Sequence, residues 1–480
     1  MNQVSPFRSF FKESAIYLFG LVLSRSISFL LLPIYTNVFD QTQNGIITLA
    51  YAFLGFMIVI LPYGTDAALL NFYIRDKSER QSVFTNAYLM VFFSNVLLLM
   101  LLYLFKTSLT PFVIGADAVR YFVYCLAILM LDSLNALTMI VLRAENKPFS
   151  YTAINFLNVT LMMGLNIFFV VNLKFGLDGI FISNIISSMI IWLALLPVVA
   201  SRFRFQAVDS HRMRQLFRFA IPFLPSGIFA MILELADRWI LKLYTDVQTV
   251  GIYGVGYKLG AIMLVLTLGI NTGWQPFFLQ HEKDRDAKPI FAKISLFVFA
   301  GLAVCWLFFS IWIPPLVRLS VNGNFLIGKE FWSGIHITPV ILLAYLFQAL
   351  YLLQLPSIFI LEKTKWAPVF RGLGAAANII LNIILIPKFG MVGAAVATAL
   401  AYFAMAVAIW FFNRKYYPIV YDWQKLGAII GLTAVAYFYA VRGNIIIYRV
   451  LATIVTIVGV GGILFWPLKR IKTELPKAGR

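Results

Sequence analysis

Chemistry in this chain has to come from the few ionisable residues that interrupt its long apolar runs. The densest group lies at residues 232–245, ILELADRWILKLYT, with Glu234, Asp237, Arg238 and Lys242. A charge placed in hydrocarbon costs roughly 2.5–3.5 kcal/mol even on insertion scales, so such residues face a partner or a water-filled cavity. This stretch is therefore expected to line a path through the membrane. Arg25, Asp66 and Asp132 in the first half, and Lys258 in the second, fall in apolar runs as well. Arg25 and Lys258 have no charged neighbour at helical spacing, and a cavity lined by them attracts an anion. A phosphate-bearing substrate suits Arg through paired hydrogen bonds. A purely local alternative exists for the rest. Glu234 and Arg238 are four apart, the spacing of an intrahelical salt bridge, and Lys242 can reach the outer surface along its own stem.

Other chemistry is poorly supplied. The sequence contains no Walker A, HExxH or GxSxG pattern. Its three histidines, His211, His281 and His336, fall in loops or near a span end. Cys125 and Cys305 stand alone in apolar runs and read as small buried hydrophobes rather than a disulfide or metal site. The expectation is a non-enzyme without a resident cofactor, driven by an ion gradient, the membrane potential or the substrate's own gradient.

The elements that position these charges follow from composition. Of 480 residues, 61% are hydrophobic and 12% charged, with a mean hydropathy of +0.86. Soluble domains carry about 25% charged residues, so the chain is a polytopic membrane protein. Runs of about 20 apolar residues, one bilayer crossing each, predict fourteen spans: 15–39, 45–70, 83–105, 118–142, 150–172, 177–200, 216–244, 250–277, 293–316, 332–361, 367–387, 390–412, 425–441 and 445–466. The first run is too long for a signal peptide and is expected to remain as a span. With the amino terminus in the cytoplasm, 26 of the 39 Lys and Arg fall in inner segments, 8 at outer ends and 5 in or near spans. That is the positive-inside bias, with both termini cytoplasmic. It also accounts for the net charge of +19 without nucleic acid as a partner.

Repeats organise the spans. Gly45–Tyr51 resembles Gly251–Tyr257, 206 residues on, and Phe10-Phe11-Lys12 falls on Leu216-Phe217-Arg218 at the same offset. Residues 63–72 fall on 269–278 likewise, while Leu165-Asn166 and Lys174-Phe175-Gly176 recur as Leu381-Asn382 and Lys388-Phe389-Gly390. Six spans separate equivalents, so the copies share an orientation, a parallel repeat about an axis along the membrane normal. The expected fold is all-α: an N-lobe (1–200, spans 1–6), a basic cytoplasmic loop (201–218), a C-lobe (216–413, spans 7–12), and residues 414–480 with two extra spans and a basic tail. The loop alternates five Arg with Phe203, Phe205, Met213, Leu216 and Phe217, which suits a segment lying on anionic headgroups; an ordinary positive-inside loop has the same charge.

Fourteen spans, two parallel lobes, the YGTDAALLNFY segment at 63–73 and the twin LN…KFG-x-x-G segments resemble the polysaccharide flippases. Their superfamily also holds multidrug/toxin extruders and peptidoglycan-precursor flippases. The resemblance implies alternating-access transport of an undecaprenyl-pyrophosphate-linked oligosaccharide from the cytoplasmic to the outer face of a bacterial inner membrane, for cell-surface polysaccharide. Arg25, Lys258 and Arg238 would hold the pyrophosphate, and a polysaccharide polymerase and other assembly proteins would be partners beside membrane lipid. The peptidoglycan-flippase branch implies a sodium site, onto which Asp237, Asn378, Asn382 and Thr398 match, with Ala394 offering a carbonyl. Asn382 stands where that branch can carry an acid, so a single carboxylate remains. Asn378 and Asn382 also suit plain interhelical packing, and Asp237 alternatively suits a proton carrier. An ion-coupled multidrug extruder or a peptidoglycan-precursor flippase on the same fold are the alternatives. A membrane-embedded glycosyltransferase would need a large outer loop with catalytic acids, and the longest outer segments here are short.

Overall fold

The computed structural model describes residues 29–321, 323–443 and 445–465. Among them, twelve helices are long and apolar enough to cross a membrane, and apart from one two-residue strand pair at Ser320–Val321 and Asn324–Phe325 the regular structure is helical. The chain is an all-α integral membrane protein. Arg25 and the 10–12 end of the repeat lie outside the described residues.

The first described helix, α1 (Phe29–Val38), leads into α2 (Gln41–Ile60). A capping box starts α2: the Asp40 carboxylate accepts from Gln43 N at 2.7 Å, and the Asp40 N–H donates to the Gln43 side chain at 3.1 Å. The span expected at 45–70 is not continuous. Pro62 and the positive φ of Tyr63 and Gly64 break it, and α3 (Thr65–Arg75) begins afresh. The helices α4 (Arg80–Leu104), a short α5 (Lys106–Val113), α6 (Val119–Ala144), α7 (Pro148–Asn166, extended by a π turn to Asn172) and α8 (Leu177–Arg202) follow.

The basic segment after α8 folds into α9 (Ser210–Ala220). It buries Leu216 and Ala220 beside α3 and α4, and leaves Arg214 and Arg218 exposed. Arg212 pairs with Asp76 at 2.8 Å and with Glu79. Nearby, Glu145, just past α6, is gripped by Arg202 (Nε 2.6 Å), Lys147 (2.9 Å) and the Tyr73 hydroxyl (2.6 Å). The Arg202 hydrogen bonds hold its carboxyl down at about 2.

Next come α10 (Leu224–Tyr244), α11 (Val247–Gly260), α12 (Ile262–Gln280), α13 (Ala287–Leu316), α14 (Thr338–Leu353) and α15 (Pro356–Ile360). The span expected at 250–277 is again two pieces, α11 and α12, interrupted at Ala261. α16 runs from Trp366 to Tyr416, 51 residues. A straight helix of that length would be ~75 Å long, more than twice a ~30 Å hydrocarbon core. Gly390 breaks it (φ 54°, ψ −133°), and Asn378 Nδ2 reaches Thr398 Oγ1 at 3.4 Å, so the two arms double back on each other. Gly176, its counterpart in the repeat, has nearly the same backbone (φ 61°, ψ −141°), a region in which side chains other than hydrogen are strained. The chain ends with α17 (Trp423–Gly443) and α18 (Ile446–Phe465).

α2 and α11 cross closely and reciprocally. A side chain on Gly45 would collide with the Val247 carbonyl, and one on Gly251 with that of Gln41. Each pair maps onto the other at the 206-residue offset, and Thr48 packs on Gly254, its own counterpart. The crossing thus sits on the local two-fold relating these segments.

Candidate functional site

The charges of α10 are gathered where α11, α14 and α16 meet it. Asp237 and Arg238 are buried, and their side chains pair at 2.7 Å. The other Asp237 oxygen accepts a hydrogen bond from the Tyr253 hydroxyl. The Arg238 guanidinium also donates to the Glu234 backbone carbonyl, and lies 4.1 Å over the Tyr257 ring, a cation–π contact. The Glu234 carboxylate goes elsewhere: Tyr345 donates to Oε1 at 2.6 Å and Tyr402 to Oε2 at 3.2 Å. Tyr345 stands 2.9 Å from the Tyr257 hydroxyl, closing the ring.

This corrects the local pairing read from the sequence. Glu234 and Arg238 are at salt-bridge spacing, yet among the described residues Arg238 pairs with Asp237, while two hydroxyls hold Glu234. Their owners come from 111 and 168 residues away. The outcome is one compensated acid, Asp237, and one acid with only neutral partners, Glu234. None of the four tyrosines was read as a site residue from the sequence. The i, i+4 spacing of Tyr253 and Tyr257 in YGVGY was the available signal, since it puts two hydroxyls on one helix face.

Lys258 lies one residue past Tyr257, close enough to Arg238 for the like charges to repel, and has no ion pair among the described residues. The layer thus holds two cations, Arg238 and Lys258, and two acids, Asp237 and Glu234, and among the described residues only Asp237 is ion-paired there. Lys242 does more than reach the surface. Its ammonium donates to the Pro111 carbonyl and to that of Phe112 at 3.0 Å, and Trp239 Nε1 donates to the Val113 carbonyl at 2.9 Å. One face of α10 thereby caps the carboxyl end of α5.

The proposed cation ligands on α16 do come together. Asn382 Nδ2 donates to Asn378 Oδ1 at 2.9 Å, and Thr398 Oγ1 to the Ala394 carbonyl at 3.1 Å. Asn378, Asn382, Ala394 and Thr398 are fully buried, and Asn382 Oδ1 has no hydrogen-bond partner. Neutral oxygens of this kind suit a hard cation. Asp237 does not fit the set, because Arg238 and Tyr253 hold both its oxygens, so the cluster as arranged carries no negative charge.

The first-half acids are separate from this layer. Asp66 is exposed in the first turn of α3. Asp132, half-buried on α6, accepts from Ser188 at 2.5 Å. Asn184 on the same helix as Ser188 donates to the Tyr51 hydroxyl at 2.6 Å, and Tyr51 is the repeat counterpart of Tyr257.

A sequence profile of the family described as "Polysaccharide biosynthesis protein" matches residues 10–282. The probable low-salt glycan biosynthesis flippase Agl15 of Haloferax volcanii is 21% identical over 412 residues, 85% of this chain and 84% of that protein. Among solved structures, the lipid II flippase MurJ in an inward closed conformation aligns over 94% of this chain and 99% of its own, with a TM-score of 0.78 at 13% identity. An inward-facing multidrug resistance MATE family transporter of the MOP superfamily covers 83% of this chain and 97% of its own, with a TM-score of 0.68 at 13% identity. The fold is that of this superfamily.

Proposed function

The chain belongs to the polysaccharide biosynthesis protein family, and from that premise we propose that it is a membrane flippase for a lipid-linked glycan. In its finer form the reading is that an undecaprenyl-pyrophosphate-linked oligosaccharide passes from the cytoplasmic to the outer face of a bacterial inner membrane by alternating access. The observation that carries it is a pair of cations in the membrane interior: among the described residues Lys258 is in no ion pair, and Arg238 is paired with Asp237. A pyrophosphate bridges such a pair, with Arg giving a planar fork and Lys a point charge. Arg25 would complete the clamp from the first span. The architecture in this reading has fourteen crossings, with the two arms of α16 counted separately and the first crossing ending in α1, arranged as two six-span lobes.

Coupling falls to Glu234. Among the described residues its carboxylate is in no ion pair and is held by two hydroxyls, and an intramembrane acid so placed suits a proton carrier as its surroundings open to water. Tyr345 and Tyr402 would hold the ionised form by donating to it and accept from the protonated form. A sodium ion on Asn378, Asn382 and Thr398 gains a carboxylate only when Asp237 leaves Arg238, which would free Arg238 for a phosphate, so the cation and the substrate would favour each other. The Glu234 and tyrosine layer also has the makeup that an extruder of organic cations calls for. Arg238 already covers the Tyr257 face, which favours the anionic substrate.

Complementation of a flippase-deficient strain tests the reading. Lys258→Ala and Arg25→Ala are each expected to abolish surface polysaccharide at unchanged protein level. Full activity in both would reject the pyrophosphate clamp.

A further inference from the structure

A second polar layer lies in the first half of the chain, and the charged site makes no use of it. Asp132 on α6 is half-buried and in no ion pair among the described residues. One of its oxygens accepts from Ser188 at 2.5 Å, and among the described residues no hydrogen bond reaches the other. Trp192, also half-buried, stands one turn beyond Ser188 on α8, so its indole is a neighbour of the carboxylate. Asp132 and Trp192 lie roughly 18 and 15 Å from the carboxyl ends of their helices, near the middle of a ~30 Å hydrocarbon core. A partly exposed carboxylate at that depth borders a water-filled space rather than lipid.

The directions of the hydrogen bonds say what this layer can hold. Trp192 Nε1 donates to the Tyr88 hydroxyl oxygen on α4 at 3.4 Å, and Asn184 Nδ2 donates to the Tyr51 hydroxyl oxygen on α2 at 2.6 Å. Tyr51 is near enough to Asp132 to feel its charge. With their oxygens accepting, both phenols keep an O–H proton to give. Four helices thus supply one unpaired acceptor, two donors and an aromatic ring. A phosphate would be repelled by Asp132, and a simple cation would call for acceptors alone. A sugar hydroxyl both donates and accepts, and the C–H face of a sugar ring suits the electron-rich face of an indole. The layer also has a fixed relation to the charged site. Tyr51 is the repeat counterpart of Tyr257, and Ser188 falls on Tyr402 at the 214-residue offset of the two Lys-Phe-Gly segments.

We infer that this first-half layer binds the glycan of the transported lipid. Asp132 accepts from a sugar hydroxyl, Tyr51 and Tyr88 donate to others, and a sugar ring stacks on Trp192. The inference rests on the flippase reading and divides the substrate between the repeats: the pyrophosphate goes to Arg238 and Lys258 in the second half, and the sugars to the equivalent layer in the first.

The purified full-length protein is titrated in detergent with two lipids, bare undecaprenyl pyrophosphate and the lipid-linked oligosaccharide extracted from the cells that make this protein. Wild type is expected to bind the oligosaccharide-bearing lipid about tenfold more tightly, the scale of one hydrogen bond to a charged group. The near-isosteric Asp132→Asn and Tyr88→Phe are each expected to lose severalfold of that preference, and Trp192→Leu to abolish it. All three are expected to keep wild-type affinity for the bare lipid and a wild-type thermal midpoint. Lys258→Ala is expected to weaken both lipids alike. An undiminished preference in Asp132→Asn and Trp192→Leu would overturn the glycan site while leaving the pyrophosphate clamp standing. Equal weakening of both lipids by Asp132→Asn would also overturn it, by showing a packing role. So would binding of tetraphenylphosphonium that Asp132→Asn removes, which would assign the layer to organic cations. Wild type that binds neither lipid would overturn the flippase reading itself, and this inference with it.

Discussion

Arg238 pairs with its sequence neighbour rather than with the acid one turn away, and that choice decides which carboxylate can change charge. Adjacent residues on a helix do not normally face each other. Here the Tyr257 ring lies against the guanidinium, and Tyr253 fixes the far oxygen of Asp237. Glu234 is left to two hydroxyls, and a proton is the lightest counter-charge it can take. Glu234→Gln is accordingly expected to leave flipping insensitive to pH in a range where wild type responds. Asp237→Asn should instead lower activity at every pH, by stranding Arg238. If the Gln variant kept the wild-type pH profile, the proton role would pass to another group. Glu145 gives a second pH dependence, unrelated to transport. Its carboxyl falls from an ordinary 4.5 to about 2, chiefly through Arg202. A lowered folded value means that the clamp contributes stability fully above about 4.5 and loses it as pH falls towards about 2. Thermal midpoints in detergent measured between pH 5 and 2.5 should fall less steeply for Glu145→Gln than for wild type.

At the scale of helices, most spans were legible because twenty apolar residues have few other uses. The breaks were not. The one local mark at Ala261 is Gly260 just before it; α11 then packs chiefly on α2 while α12 packs on α13, α14 and α15. Pro62-Tyr63-Gly64 was a readable turn signal that hydropathy averaging concealed. The charges at 234–242 were legible for the same reason as the spans, since polar residues stand out in apolar runs. Their partners were not, because the tyrosines that select them come from three other helices. The repeat was the most informative local pattern: Gly45 and Gly251 were matched by offset alone, and they turn out to be where α2 and α11 touch. Gly251→Val would drive two methyls into the Gln41 carbonyl and should destabilise the protein by about 1–3 kcal/mol or more. Gly301→Ala, where the added carbon meets nothing within 4 Å, serves as the neutral control. Equal melting midpoints for the two would refute the close crossing.

For the molecule as a whole, α10 links the charged layer to α5. Glu234, Asp237 and Arg238 face the layer shared with α11, α14 and α16, while Trp239 and Lys242 hold the end of α5. The central claim is that this layer carries a lipid pyrophosphate across the bilayer. Its most direct test is transport by the purified protein in proteoliposomes loaded on one leaflet with a fluorescent undecaprenyl-pyrophosphate oligosaccharide, with appearance on the other leaflet read by an impermeant quencher. Wild type should move the lipid well above the rate of protein-free vesicles, and Lys258→Ala should return it to that background. Transport by the Lys258→Ala protein at the wild-type rate, or none by wild type, would contradict the account.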